Sequence, residues 1–139
     1  MIQQGQCTVF KLNCLSGLED FTATSIYDYK IALYTAYADL GPSTLVYTTD
    51  NEITGTGYTA GGELLTPTTP ASSGTTAYVS FANVTWDPAS FTVRGALIYN
   101  STTNAAVAVL DFGSDKVASN TFTITFPANN ASDAVIRFA

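Results

Sequence analysis

From Thr121 to Phe126 the chain alternates strictly, with Phe122, Ile124 and Phe126 on one side and Thr121, Thr123 and Thr125 on the other. An extended backbone sends successive side chains to opposite faces, so this pattern predicts a strand with one buried face and one wet face. Related runs rich in β-branched and aromatic residues recur at Tyr29 to Thr35, Leu45 to Thr49, Thr76 to Val84, Phe91 to Tyr99, Ala105 to Phe112 and Ala134 to Phe138. Gly, Pro, Asn and Asp punctuate the chain between them. Seven such strands with closely spaced turns predict an all-β fold, a β-sandwich with Greek-key or jelly-roll connections. In Ala105 to Phe112 both faces are apolar, Val107 and Val109 against Ala108, Leu110 and Phe112, which predicts a central strand. Asp115 to Asn120 reads as a loop.

Two segments depart from the strand pattern. Thr48 to Gly74 is rich in Thr, Gly, Pro and Ser and reads as a long surface excursion with one short strand around Glu63 to Thr66. At the other end, Phe10, Cys14, Leu15 and Leu18 have the spacing of one helical face, so residues 1–20 are expected to be an N-terminal arm or short helix. Residues 21–139 are then a single sandwich domain. A chain of 139 residues has the size of one domain with one core.

Charge and composition narrow the partners. Five Lys and Arg stand against 11 Asp and Glu, for a net charge of −6, and the five cations are scattered singly. Phosphate backbones need clustered cations, so no nucleic-acid partner is expected. No apolar run approaches the ~20 residues that span a bilayer, which argues against a membrane protein. The start MIQQGQCTVF lacks the basic and apolar regions of a secretory signal, so synthesis in a cytoplasm is expected. Hydrophobic residues make up 46% of the chain and charged residues only 12%, a balance that suits burial of surface in an assembly.

Catalytic chemistry has little to draw on. The chain contains no histidine, which removes the commonest general base and metal ligand and every Ser-His-Asp or Cys-His arrangement. Asp50 with Glu52, and Asp111 with Asp115, are close carboxylate pairs that read as solvated strand ends and loops. Asp111-Phe112-Gly113 spells a kinase metal motif without the rest of a kinase. Gly55 to Gly62 resembles a phosphate-cradling loop but lacks the Lys-Ser/Thr that follows one. Asn83, Asn100 and Asn130 open glycosylation triplets that read as Asn-rich turns. Trp86, before Asp87-Pro88, reads as an aromatic closing the core edge. No cofactor or metal is expected, and no enzymatic activity.

Cys7 and Cys14 are too far apart to bond internally without a tight reversal, since seven residues of helix span about 10.5 Å and a disulfide needs Cα atoms within about 7 Å. Two readings remain: reduced thiols of a cytoplasmic chain, or sulfurs that each meet a cysteine of another chain after assembly. Tyrosines favour interfaces, so Tyr37 and Tyr47 are candidates for subunit contact. Phe10, Leu12 and Leu15 are candidate apolar anchors for an arm reaching a neighbour.

The stretches Tyr29 to Thr35, Thr48 to Glu52, Gly55 to Gly62, Val84 to Trp86, Arg94 to Asn100, Val107 to Gly113 and Phe126 to Ala128 together carry a likeness: from about Phe10 to Arg137 the sequence resembles a widespread family of small virion structural proteins of tailed phages. The two N-terminal cysteines are a departure from that family. The resemblance implies a β-rich fold and a place in the virion. Joined to the apolar composition, it leads to the expectation of a capsid cement or decoration protein, a homotrimer seated on the major capsid protein shell. Alternatives are a neck, tail or fibre-adaptor protein, or a carbohydrate- or host-surface-binding module.

Overall fold

The computed structural model describes residues 1–139. Ten strands and one helix follow one another as β1 (Gly5–Gln6), α1 (Thr8–Leu15), β2 (Tyr29–Tyr34), β3 (Glu63–Leu65), β4 (Ala71–Ser73), β5 (Thr76–Val79), β6 (Val84–Trp86), β7 (Phe91–Asn100), β8 (Ala106–Ala118), β9 (Phe122–Ile124) and β10 (Ile136–Phe138). The fold is all-β and sandwich-like. Its sheets are antiparallel: five strands in the order β1-β8-β7-β2-β3, three in the order β10-β5-β4, and the pair β6-β9.

The β7–β8 hairpin is the spine. The last six residues of β7, Gly95 to Asn100, are all buried, as suits a strand that lies between β8 and β2. The buried Asn100 side chain shapes the hairpin turn, its Oδ1 accepting from the N–H groups of Thr102 (3.0 Å) and Thr103 (3.3 Å). Farther along, Val93 pairs with Lys116 while Gly95 pairs with Asp111, so β8 spends five residues where β7 spends two. That bulge turns at Gly113, whose N–H donates to Asp111 Oδ1 at 2.9 Å. Beyond it the strand resumes to Ala118. The expected loop at Asp115 to Asn120 is therefore corrected: its first half is ladder, concealed in the sequence by the change of register at the bulge.

Other departures have similar causes. Thr76 to Val84 is no single strand, because at Ser80 the backbone turns to pair with Thr66 to Thr68 (Thr68 N to Ser80 O 2.8 Å, Ala82 N to Thr66 O 2.9 Å) before β6 joins β9. Leu45 to Thr49 contributes only a bridge, Val46 to Ala105. The Thr48 to Gly74 excursion is fastened to the body, and it includes a strand the pattern concealed, β4, exposed at all three residues. One tight approach explains a glycine there. At Gly62 the backbone has φ +83°, and a Cβ would lie 1.8 Å from the Ile31 carbonyl.

A single cluster of 31 buried hydrophobic residues joins all three sheets. It includes Ile2, Cys7 and Phe10, so the first residues share the core of the rest and form no separate unit. Trp86 is enclosed against Phe91, Phe122 and Tyr58.

Candidate functional site: the α1 face and the clasps behind it

The N-terminus is stitched into the sheet before it reaches α1. Gln3 N donates to Leu40 O (2.8 Å), β1 pairs with Ala108 and Val109 of β8, and Cys7 N donates to Val107 O (2.9 Å). An eight-residue helix is marginal alone and takes its stability from packing. Here Phe10 supplies it, fully buried, with ring centroids 5.9 Å from Phe21 and 6.1 Å from Phe138. The helix closes through a left-handed Gly17, with Leu18 N bonded to Asn13 O at 2.8 Å. This geometry turns Leu12, Leu15 and Leu18 outward at 59%, 89% and 47% exposure.

Several expected site residues thereby change role. Phe10 is no anchor for a neighbour, because the chain's own aromatic cluster consumes it. Cys7 is fully buried, with Sγ 3.7 Å from Gly41 O, and has no surface to offer another chain's sulfur. Of the two expectations for residues 1–20, an arm or a short helix, the structure has the helix, preceded by a strand pinned on a sheet edge. Leu12 and Leu15 do present apolar surface, as does Tyr37, which is 85% exposed. Tyr47 is half-buried, stacked on Tyr99 at 4.7 Å, and its hydroxyl donates to Glu52 Oε1 at 2.6 Å. The single helical face expected of Phe10, Cys14, Leu15 and Leu18 does not form: Phe10 is buried, Leu15 is exposed, and Leu18 lies past the end of α1.

Behind α1 lies a small polar clasp. Asn100 Nδ2 donates to Glu19 Oε1 at 2.7 Å, while Glu19 Oε2 is occluded without a partner within hydrogen-bond distance. Burial pushes the Glu19 carboxyl up to about 6, against which the Asn100 bond and the facing Tyr29 hydroxyl act weakly. Cys14, half-buried beside it, is pushed up to about 11 by burial and then by the Glu19 charge. Burial alone raises Cys7 to about 11. Thiols so protonated are poor nucleophiles at neutral pH.

The densest polar constellation surrounds Glu52. Its carboxylate accepts from the hydroxyls of Tyr47 and Tyr58 and from Gly61 N–H (2.8 Å), and the Tyr58 oxygen in turn accepts from Leu33 N–H (3.0 Å). Tyr99 OH donates to Gly61 O (2.7 Å) and Tyr34 OH to Thr48 O (2.6 Å). Burial raises all four phenols, with the Glu52 charge adding to each. They stay protonated donors, and with three of its acceptor positions filled the carboxylate holds the 47–62 loop against β2. Asp50 joins none of this. No group of three or more metal-ligating side chains converges anywhere in the chain. Asp111 pairs loosely with Arg94 (3.5 Å) across the bulge, and Asn100 is buried within its turn, closed to modification.

No helix is long and apolar enough to cross a membrane. Comparison with family models, with curated proteins and with solved structures finds no match to this chain.

Proposed function

We propose that this chain is a non-enzymatic structural protein of a tailed-phage virion, a cement protein that binds the major capsid protein shell as a homotrimer. The observation that carries the reading is an exposed leucine surface, Leu12 and Leu15 on α1 and Leu18 just past its end, on an element held rigid by Phe10 and by the sheet edge. An apolar surface on a preorganised element loses little entropy on docking, which is how a small chain gains affinity from limited area. The sequence likeness to phage virion proteins supports the particle as its setting, and the clasps at Glu52 and Glu19 serve cohesion rather than turnover.

Quantitative mass spectrometry of purified particles tests this. Hundreds of copies per virion fit cement on a shell lattice. Six or twelve copies would transfer the protein to a neck or tail ring, and absence from particles would end the virion reading.

A further inference from the structure

We infer that the open groove between the 20–29 segment and the 64–70 segment is a binding site for a neutral or amino-substituted oligosaccharide. The groove has a volume of about 520 Å³, within the range of ligand sites.

Both walls are fixed before any ligand arrives. On one, Asp20 Oδ1 accepts from Thr22 N (2.9 Å) and Thr22 Oγ1 (2.7 Å), Tyr27 N donates to Ser25 Oγ (3.0 Å), and Ser101 N donates to Asp28 O (2.7 Å). On the other, Thr66 and Thr68 are bonded to the backbone of Ala82 and Ser80. A site whose walls do not have to be ordered loses less free energy on binding.

The lining has the chemistry that hydroxyl-rich rings need. Tyr27 is a half-buried aromatic, able to pack against the C–H face of a sugar while removing it from water, and Phe21 beside it is stacked on Tyr29 at 4.4 Å and backs the wall. Asp28 is bonded in the fold through its backbone N–H and carbonyl, which leaves its exposed carboxylate to accept from a pair of ligand hydroxyls. Thr66 and Thr69 add exposed hydroxyls on the opposite wall. The floor, Tyr29 and Leu65, is buried and closes the groove from below.

Charge sets the class of sugar. Asp20 and Asp28 line the groove and no Lys or Arg does, so sialic or uronic acids meet repulsion while neutral and amino sugars do not. A peptide adding as a strand is disfavoured by the wall itself: β3 is three residues long, and Pro67 and Pro70 follow without N–H groups to continue a ladder.

The test is a glycan array probed with the purified full chain, followed by NMR titration and calorimetry with the best neutral oligosaccharide. Expected are binding of neutral or amino sugars and shift perturbations confined to residues 20–29 and 64–70. Asp28→Asn and Tyr27→Ala should each weaken affinity roughly tenfold or more, while Val117→Ser, outside the groove, binds as the parent does. The parent titration locates the site even if a variant folds poorly. Silence on every neutral and amino sugar, preference for anionic ones, perturbations elsewhere, or capture of extended peptides in place of sugars would each overturn the proposal.

Discussion

Asn100 and Glu19, 81 residues apart, are joined by a 2.7 Å hydrogen bond from the buried amide to the carboxylate. The same Asn100 shapes the β7–β8 turn through its Oδ1, so one side chain ties the spine hairpin to the segment leaving α1. The carboxylate is held at a cost, since its second oxygen is enclosed without a bond.

That cost has a pH signature. The Glu19 carboxyl titrates at about 6 in the folded chain against an ordinary 4.5. Between those values the folded chain retains a proton that the unfolded chain has released, so this group makes stability fall as pH rises through the window, with no further change above it. Glu19→Gln is expected to be about 1 kcal/mol more stable than the parent at pH 7.5, after discounting the shift for partial solvent exposure, and about equal to it at pH 4. Urea unfolding at the two pH values measures the difference. A variant that tracks the parent at both would sink the assignment.

At Glu52 two phenols, Tyr47 and Tyr58, donate to one carboxylate. Tyr47→Phe and Tyr58→Phe each remove one donor and are expected to destabilise by about 1–2 kcal/mol. Because both act on one carboxylate, the double variant should deviate from the sum by at least ~0.5 kcal/mol. Equilibrium unfolding of the three variants closes the cycle, and simple additivity would show that the phenols act independently.

Backbone crowding gives a third expectation. Gly62→Ala must adopt positive φ and displace the Ile31 carbonyl, for a loss of about 3 kcal/mol. Gly74→Ala also sits at positive φ but meets nothing within 4 Å, and should cost only about 1 kcal/mol. Equal losses at the two sites would refute the close approach as the cause.

Scaffold and surface separate cleanly on α1. Phe10→Ala is expected to cost about 3–5 kcal/mol, whereas Leu12→Ser and Leu15→Ser should leave the isolated chain within ~0.5 kcal/mol of the parent. If the leucine face docks on a shell, the two serine variants should still lower the number of copies retained on particles. Full occupancy with both changes in place would remove α1 from the contact.

For the cysteines, thiol labelling of the native chain should modify Cys14 slowly and Cys7 only on unfolding, in line with burial. Rapid native labelling of Cys7 would contradict the packing described for β1. Gels of the purified chain run with and without reductant should show the same monomer band for the Cys14→Ser variant and the parent.

Much of the body was legible in sequence because its signals are local. Tyr29 to Tyr34, Phe91 to Tyr99 and the first half of β8 announce themselves by runs rich in apolar and β-branched residues, interrupted at Lys30 and at Arg94-Gly95, and the short helix by its spacing. The fate of Phe10 and Cys7 was not legible: an apolar helix face looks the same whether it meets its own sheet or a neighbour's, and Phe10 is decided by Phe21 and by Phe138 at the far end of the chain. The Glu52 clasp draws on Tyr47, Tyr58 and Gly61, each an ordinary loop residue until the fold gathers them. Ala71 to Ser73 carries no alternation and pairs only because Thr76 to Val79 lies across a tight turn.

The residues that run along β8 also cover backbone that would otherwise stand open at the edge of the sheet. Gly5–Gln6, and then Leu45 and Tyr47, occupy hydrogen-bonding positions on the side of the hairpin that β7 leaves open. Left bare, so apolar a strand is a template for runaway pairing between copies, the first step toward fibres. By covering the apolar first half of that side with its own N-terminus, the chain leaves no bare backbone there for another copy to extend.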